Sequence, residues 1–192
     1  MTDKIALFDL DCTLADFEGQ MCRDLERLRS PGEAPITAGN LWGGEKLPHI
    51  KARMSLIKSV PGWWYKLPTL QLGFDVLNVA REIGFALGIL TKGPSSPDHS
   101  LAWSEKRDWI LDHLLEYNVK THITEDKSGQ YGRVLVDDFG EYLDAWLAHR
   151  PRGLGVMIAS EGNKIYRHPQ VIRYDGTNLG TVRVRLQEAF DR

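Results

Sequence analysis

The amino-acid sequence predicts an α/β fold in which a parallel β-sheet lies between two layers of helices. Short apolar runs recur along the chain, as expected for strands that are buried on both faces. Between most of these runs, apolar residues recur at helical spacing. The predicted strands are 5–8, 85–90, 134–136, 154–159 and 170–174.

Helical segments separate the later strands. The segment 72–83 ends at Gly84, a residue that commonly terminates a helix. In the segment 101–117, Leu101, Trp109 and Leu114 belong to an apolar stripe. Such alternation of strands and helices is typical of a Rossmann-like, three-layer α/β/α core. The predicted helices of this part are 72–83, 101–117, 140–149 and 181–190.

The region between the first strand and residue 70 has a different pattern. It contains helix-like segments at 16–29 and 47–59, Gly- and Pro-rich joints, and no convincing strand. We interpret it as a small helical cap inserted after the first strand, where it would cover the carboxyl ends of the strands. The predicted division is a core of residues 1–14 and 71–192 and a cap of residues 15–70.

Composition limits the classes of function. The 192 residues carry a net charge of −2, which argues against stable nucleic-acid binding but allows a single nucleotide as ligand. The two cysteines, Cys12 and Cys22, have no metal-ligating spacing, so a reducing cytoplasm is expected. From the sequence we expect neither a signal peptide nor a membrane-spanning segment. The oligomeric state is left open, with a homodimer as one alternative.

The first predicted strand is followed by two carboxylates, Asp9 and Asp11, that are separated by one residue. Side chains alternate along a strand, so both would point the same way while the chain is extended. Two like charges are kept close together mainly where a cation or a reaction needs both. The pair therefore predicts a Mg2+-dependent phosphoryl-transfer site. The alternative is that these residues only start a turn or cap the next helix.

Two more carboxylates, Asp137 and Asp138, follow the strand 134–136. The carboxyl ends of parallel strands lie at one edge of the sheet, so four acidic side chains would converge there. An all-oxygen cluster without His or Cys fits Mg2+. The alternative for Asp138 is that it caps the following helix.

Candidate phosphate-binding residues follow from the same topology. Thr91 ends a predicted strand and is followed by Lys92-Gly93, so its hydroxyl and the free N–H groups of Thr91, Lys92 and Gly93 could bind phosphate oxygens. Lys106 and Lys127 could balance the acidic charge and bind the transferring phosphoryl group. The alternatives are an ordinary Thr-x-Gly turn and solvated lysines.

Taken in order, Asp9-x-Asp11-x-Thr13, Thr91, Lys106 and Asp137-Asp138 resemble the motifs of the haloacid dehalogenase superfamily of aspartate-nucleophile phosphatases. Within it, the chain is most similar to the 5'(3')-deoxyribonucleotidases of the cytosolic and mitochondrial type. That similarity extends from residue 4 to about 140. It is carried by the stretches 9–18, 61–68, 106–110 and 124–138.

The resemblance implies a Mg2+-dependent phosphatase that hydrolyses nucleoside, and preferentially deoxynucleoside, monophosphates through an aspartyl-phosphate. Asp9 would be the nucleophile and Asp11 the general acid and base. Asp9, the main-chain carbonyl of Asp11, and Asp138 would hold the metal, with Asp137 beside it. The implied phosphate-binding residues are Thr91, Lys106 and Lys127, and the implied nucleoside-pocket residues are Phe17, Trp63 and Trp64. The alternative for these aromatics is that they pack the cap onto the core.

Two departures from the family pattern put substrate preference in doubt more than the chemistry. Lys92-Gly93 stands where the family usually has Ser-Pro, and Cys12-Thr13 replaces its usual Gly-Val. Another small phosphate ester, or a nucleic-acid 3'-phosphate, is therefore an alternative substrate. A binding module without turnover is disfavoured because both Asp9 and Asp11 are present.

Overall fold

A computed structural model of the chain describes residues 4–41, 48–94 and 99–192. These residues contain six strands that form one parallel sheet. They are β1 Ile5–Phe8, β2 Ala86–Lys92, β3 Lys120–Thr124, β4 Val134–Asp137, β5 Leu154–Ile158 and β6 Val171–Tyr174. The strand order is β3-β2-β1-β4-β5-β6, so the predicted parallel α/β fold class is confirmed.

The described ranges also contain seven α-helices. They are α1 Phe17–Arg27, α2 Ala38–Leu41, α3 Pro48–Lys58, α4 Gln71–Ile83, α5 Leu101–Leu114, α6 Gly140–Ala148 and α7 Leu179–Asp191. The helix predicted over 101–117 ends at Leu114, and a short 3-10 turn follows it. Within these ranges, no helix is long and apolar enough to cross a membrane.

Helices cover both faces of the sheet because alternate strand residues point to opposite sides. On one face, Leu7 and Leu135 pack in a cluster with Leu143 and Trp146 of α6. On the other face, the cluster includes Phe8 and Val136 of the sheet together with apolar residues of α4, α5 and α7. The fold is therefore a three-layer α/β/α arrangement, as predicted.

Strand β3 was not predicted. Its sequence, Lys-Thr-His-Ile-Thr, contains a single strongly apolar residue, and most of its side chains are only half-buried. β3 lies at the edge of the sheet and pairs only with β2, and its side chains are less completely covered than those of the central strand β4. A search for apolar runs therefore misses it.

The chain between β1 and α4 contains helices α1 to α3 and, in its described part, no strand. Residue 47, where one helix was predicted to begin, lies outside the described residues. The two ends of this region run side by side: the Asp16 N–H donates to the Pro68 carbonyl at 2.7 Å, and the Leu70 N–H donates to the Leu14 carbonyl at 2.7 Å. Both connections therefore lie next to the carboxyl end of β1.

Candidate active site

The site lies beyond the carboxyl ends of β1 and β4, the two central strands. The chain winds from β1 through β2 to β3 on one side and from β4 through β5 to β6 on the other. Ligands of open α/β sheets bind at such a topological switch point. Asp9 directly follows β1, and its N–H donates to the Val136 carbonyl at 2.9 Å. One carboxylate oxygen each of Asp9, Asp137 and Asp138 lies within 4.8 Å of the other two.

The loop after β1 folds back immediately and does not stay extended. The Leu10 carbonyl accepts N–H groups from Thr13, Leu14 and Ala15. Cys12 has a φ of 57°, in the left-handed region that non-glycine residues rarely adopt. The extended chain that the prediction for Asp9 and Asp11 assumed is therefore not kept through this loop. The two carboxylates instead contact two different lysines.

Lys127 bridges two of the buried carboxylates. Its ammonium lies 2.7 Å from Asp9 Oδ1 and 2.7 Å from Asp137 Oδ2, and its side chain is 2% exposed. Burial alone would lower the pKa of Lys127, but the two carboxylates more than offset it and hold this pKa above the ordinary value. The other Asp137 oxygen accepts the Phe139 N–H at 2.9 Å. Lys127 is therefore a fixed positive charge beside Asp9.

Lys106 holds the second acidic residue of the first motif. From α5, its ammonium donates to Asp11 Oδ2 at 2.6 Å, to Thr91 Oγ1 at 3.3 Å and to the Lys92 carbonyl at 2.7 Å. The ammonium also lies 4.9 Å from the centre of the Trp64 ring. The predicted residues Asp11 and Thr91 thus both contact the Lys106 ammonium. The Lys92 side chain is exposed and its ammonium lies 5.4 Å from the Tyr142 ring, so only the Lys92 carbonyl belongs to this group.

Burial and crowding raise the pKa of several carboxyl groups in the site. Burial raises the pKa of Asp137 to about 6, in spite of Lys127 and with help from the Asp9 charge. Burial, followed by the charges of Asp137 and Asp9, raises the pKa of Asp138 well above its usual range. Burial also raises the pKa of Asp11, against the opposing effect of Lys106. In all three groups burial is the largest cause, because it disfavours the charged form of a carboxyl group.

The donor set fits Mg2+. Four carboxylates and two ammonium groups leave a formal charge of −2, which one divalent cation would neutralise, and Mg2+ prefers oxygen ligands. Among the described residues, Asp11 Oδ1 and Thr13 Oγ1 are buried without a hydrogen-bond partner. Buried polar atoms are usually hydrogen-bonded to protein or to ordered water, so these two oxygens are free to contact a bound group. The site therefore has both the charge and the oxygen atoms that a divalent cation needs.

Asn163 supports Asp138 and was not predicted. Its amide donates to the Asp138 carbonyl at 3.0 Å and to the Ile158 carbonyl at 2.8 Å. No spacing rule points to an asparagine in the loop after β5, because the contact exists only in the folded chain. The alternative reading of Asp138 as a helix cap is wrong. The N-cap of α6 is Phe139, and no side chain caps it.

The three predicted pocket aromatics, Phe17, Trp63 and Trp64, contact one another. Their ring centres are 5.0 to 5.4 Å apart, and each residue is less than 10% exposed. The Trp63 indole N–H donates to Asp24, and that of Trp64 donates to the Lys58 carbonyl. These contacts agree with the packing alternative. Base stacking by these rings stays a prediction.

Glu105 fixes the turn that carries the paired tryptophans and was also not predicted. Its carboxylate accepts the Gly62 N–H at 2.7 Å and the Trp64 N–H at 3.1 Å. Glu105 precedes Lys106 on α5, so one helix holds both this turn and the lysine that contacts Asp11. An acidic residue on a helix surface offers no sequence signal for such a role.

Comparison with solved structures identifies the fold. A haloacid dehalogenase-like family hydrolase from Xanthomonas campestris is similar with a TM-score of 0.59, at 13% identity over 99% of both chains. A haloacid dehalogenase-like hydrolase from Burkholderia xenovorans has a TM-score of 0.49, at 16% identity over 99% of this chain and 98% of that chain. No protein-family model and no curated protein matches the sequence. The chain thus has the fold of haloacid dehalogenase-like hydrolases.

Proposed function

We propose that this chain is a Mg2+-dependent phosphatase of the haloacid dehalogenase superfamily that hydrolyses nucleoside, and preferentially deoxynucleoside, monophosphates. The observation that carries the proposal is the pairing of Asp9 and Asp11 with separate buried lysines at the switch point of the sheet. This arrangement gives two neighbouring carboxylates different surroundings, as a reaction with a nucleophile and a proton carrier requires. The fold it shares with solved hydrolases agrees with this proposal.

The metal would be held by Asp9, Asp138 and the main-chain carbonyl of Asp11. Bound Mg2+ supplies positive charge that offsets the phosphoryl oxygens. Asp137 would stand beside it, because its two oxygens already bind Lys127 and the Phe139 N–H. Asn163 would keep Asp138 in place through the Asp138 carbonyl.

Catalysis would proceed in two steps. In the first, Asp9 attacks phosphorus and the bond to the leaving oxygen breaks, while Asp11 gives its proton to that oxygen. In the second, Asp11 takes a proton from water, which attacks the aspartyl-phosphate and releases inorganic phosphate and Asp9. The raised pKa of Asp11 agrees with a proton carrier. Lys106 and Lys127 would offset the charge that develops on the phosphoryl oxygens.

The nucleotide substrate rests on the family resemblance. It is supported by Trp64, whose ring borders the Lys106 ammonium and so lies near the expected phosphate position. A second candidate is another small phosphate ester, or a nucleic-acid 3'-phosphate. It is favoured by the burial of Phe17, Trp63 and Trp64, whose rings are in contact with one another.

A reducing, cytoplasmic setting is supported by the two cysteines, which are both free thiols.

A substrate panel would test the proposal. It would contain ribo- and deoxyribonucleoside 5'- and 3'-monophosphates, p-nitrophenyl phosphate and a 3'-phosphorylated oligonucleotide, each assayed with Mg2+ and with EDTA. We expect Mg2+-dependent release of phosphate, with the highest kcat/KM for a nucleoside monophosphate. Trp64→Ala should lower kcat/KM for the nucleotide more than for p-nitrophenyl phosphate. The control is Phe190→Ala. Phe190 is an aromatic residue of α7 that packs on Phe85 and lies outside the candidate site.

The possible outcomes separate the candidates. Equal kcat/KM for all small esters would favour the second candidate. Binding of nucleotide without turnover of any ester would contradict the phosphatase and indicate a silent binding module.

A further inference from the structure

The segment that carries Lys127 has no regular secondary structure. It connects β3 to β4 over residues 125–133. The Lys127 ammonium nevertheless lies 2.7 Å from carboxylates of both Asp9 and Asp137. A lysine side chain is long and flexible, so this double contact requires its main chain to be held in place. Regular backbone hydrogen bonding does not supply that constraint here.

A local turn orients Lys127 within the segment. The Asp126 carboxylate accepts the Ser128 N–H at 2.8 Å and the Ser128 hydroxyl at 3.0 Å. The Lys127 carbonyl accepts the Gln130 N–H at 3.3 Å. All of these contacts lie inside the segment. They cannot by themselves determine how far the segment lies from Asp9.

Arg150, just beyond the end of α6, ties the segment to the core. One guanidinium nitrogen donates to the Ser128 carbonyl at 2.6 Å, and the other terminal nitrogen donates to the Gln130 carbonyl. The Gln130 carbonyl also accepts the Trp146 indole N–H at 2.9 Å. Arg150 thus clamps the segment through two hydrogen bonds, one to residue Ser128 and one to Gln130, within three residues of Lys127.

The alternative is that Arg150 has a purely structural role at the end of α6. Arg150 also donates to the Trp146 carbonyl at 3.1 Å, near the end of α6, and its guanidinium lies 4.7 Å from the Trp146 ring. Capping the helix would need only that contact. The two bonds to Ser128 and Gln130 use the planar fork of the guanidinium, which a lysine cannot reproduce. In the described part of the chain, no carboxylate forms an ion pair with Arg150, so charge pairing does not explain its place.

We propose that Arg150 is a positioning residue that holds Lys127 against Asp9 and Asp137. The inference rests on the proposed function, because it assigns Arg150 an effect on catalysis through Lys127. Displacement of a catalytic group by about 1 Å can cost about 10²-fold in rate. Arg150 itself makes no contact with the acidic cluster.

The test is a double-mutant cycle with p-nitrophenyl phosphate and saturating Mg2+. Arg150→Lys keeps the positive charge and loses the fork, and it is measured in the wild-type chain and in Lys127→Ala. The matched control is Arg133→Lys. Arg133 is the last residue of the same segment, but its guanidinium donates to the main-chain carbonyls of Ala189, Phe190 and Arg192 near the C-terminus and to none of residues 126–131.

We expect Arg150→Lys to lower kcat by about tenfold, with KM changed less than about threefold, because the clamp acts on the position of a charge near the reacting atoms. In the Lys127→Ala background the same substitution should change kcat less than about twofold, as residues that act as a unit are not additive. Arg133→Lys should leave kcat unchanged. Equal effects of Arg150→Lys in both backgrounds, or an equal loss in Arg133→Lys, would overturn the proposal.

A second readout does not depend on turnover. Amide hydrogen exchange of the free protein should become faster in residues 126–131 of Arg150→Lys, while α6 and the central strands keep their protection. Unchanged exchange in that segment would overturn the proposal even if kcat fell. Full activity of Lys127→Ala would instead contradict the role of Lys127 in the proposed function. Hydrogen exchange in Arg150→Lys therefore tests the positioning role, and the activity of Lys127→Ala tests the proposed function, so a failure of one can be told from a failure of the other.

Discussion

The two lysines of the site reach similar contacts by different means. Lys106 lies in the middle of α5, where regular backbone hydrogen bonds fix its position. Lys127 lies on an irregular segment that Arg150 and Trp146 hold through its carbonyls. Each side chain is 2% exposed and reaches a carboxylate at 2.6 or 2.7 Å. Comparable placement thus comes from secondary structure in one case and from side-chain clamps in the other.

The two lysines also differ in what they neutralise. Lys106 faces Asp11, whose side chain is 27% exposed. Lys127 faces Asp9 and Asp137, whose side chains are 8% and 0% exposed. Lys127 thus faces two carboxylates on almost fully buried side chains, whereas Lys106 faces one, on a side chain that is partly exposed. Removing Lys127 should therefore affect stability differently from removing Lys106.

The largest expected effect is the loss of activity when the carboxylates paired with the two lysines, Asp9 and Asp11, are replaced. Asp9→Asn should lower kcat by at least about 10⁴-fold, because the nucleophile is lost. Asp11→Asn should lose less activity on p-nitrophenyl phosphate than on a nucleotide, since p-nitrophenolate leaves without protonation. Steady-state kinetics on both substrates, with circular dichroism to verify folding, would measure this. Undiminished turnover by Asp9→Asn would contradict its assignment.

The next effect compares the lysines directly by stability. Lys127→Met should lower the free energy of unfolding by about 3–5 kcal/mol, because it leaves buried carboxylates without a partner. Lys106→Met should cost less, because it removes the lysine of one carboxylate rather than two and the Asp11 side chain is less buried than those of Asp9 and Asp137. Urea unfolding in EDTA would measure both values. Equal losses for the two variants would show that the difference in carboxylate burial has no energetic consequence.

Metal binding should stabilise the folded chain through the carboxylates on the Lys127 side of the site. Mg2+ at a concentration of 100 Kd would raise the free energy of unfolding by about 2.7 kcal/mol. Asp138→Asn should lose most of this gain, whereas Glu188→Gln, which changes an exposed carboxylate on α7, should retain it. Thermal unfolding with and without Mg2+ would test this. An equal gain in wild type and Asp138→Asn would place the cation elsewhere.

The smallest effect concerns the residue next to Lys106. Glu105→Ala removes the acceptor of the Gly62 and Trp64 N–H groups and should cost about 1–2 kcal/mol of stability. The matched control is Glu116→Ala. Its carboxylate is 72% exposed and pairs with Arg81 at 3.5 Å, so the change should stay within about 0.5 kcal/mol. Equal effects in urea unfolding would mean that the turn around Trp63 does not depend on α5.

Most of the fold could be predicted because its signals are local. Buried strands such as β1 and β4 have continuous apolar runs, and Gly84 ends α4 in the left-handed conformation expected of such a residue. The edge strand β3 was missed because its half-exposed side chains produce no such run. Apolar runs report burial rather than strand pairing, so a polar edge strand is not detected.

The candidate site could be predicted only in part, for a related reason. Asp9, Asp137 and Asp138 directly follow predicted strands or end them, and parallel topology alone brings them to one edge. Asn163 and Glu105 were missed because they act through main-chain groups of residues distant in sequence. Main-chain groups are chemically alike at nearly every position, so the sequence does not indicate which of them a side chain will bind.

By itself the sequence determined the parallel α/β fold and the edge of the sheet where the acidic residues gather, because periodicity and strand ends are local properties. Only the tertiary structure decided which lysine pairs with which carboxylate. Lys106 and Asp11 are 95 residues apart, and Lys127 depends on a clamp from Arg150, 22 residues from Ser128. Such contacts form when the packing of distant elements brings specific atoms within 3 Å or so, which no local pattern specifies.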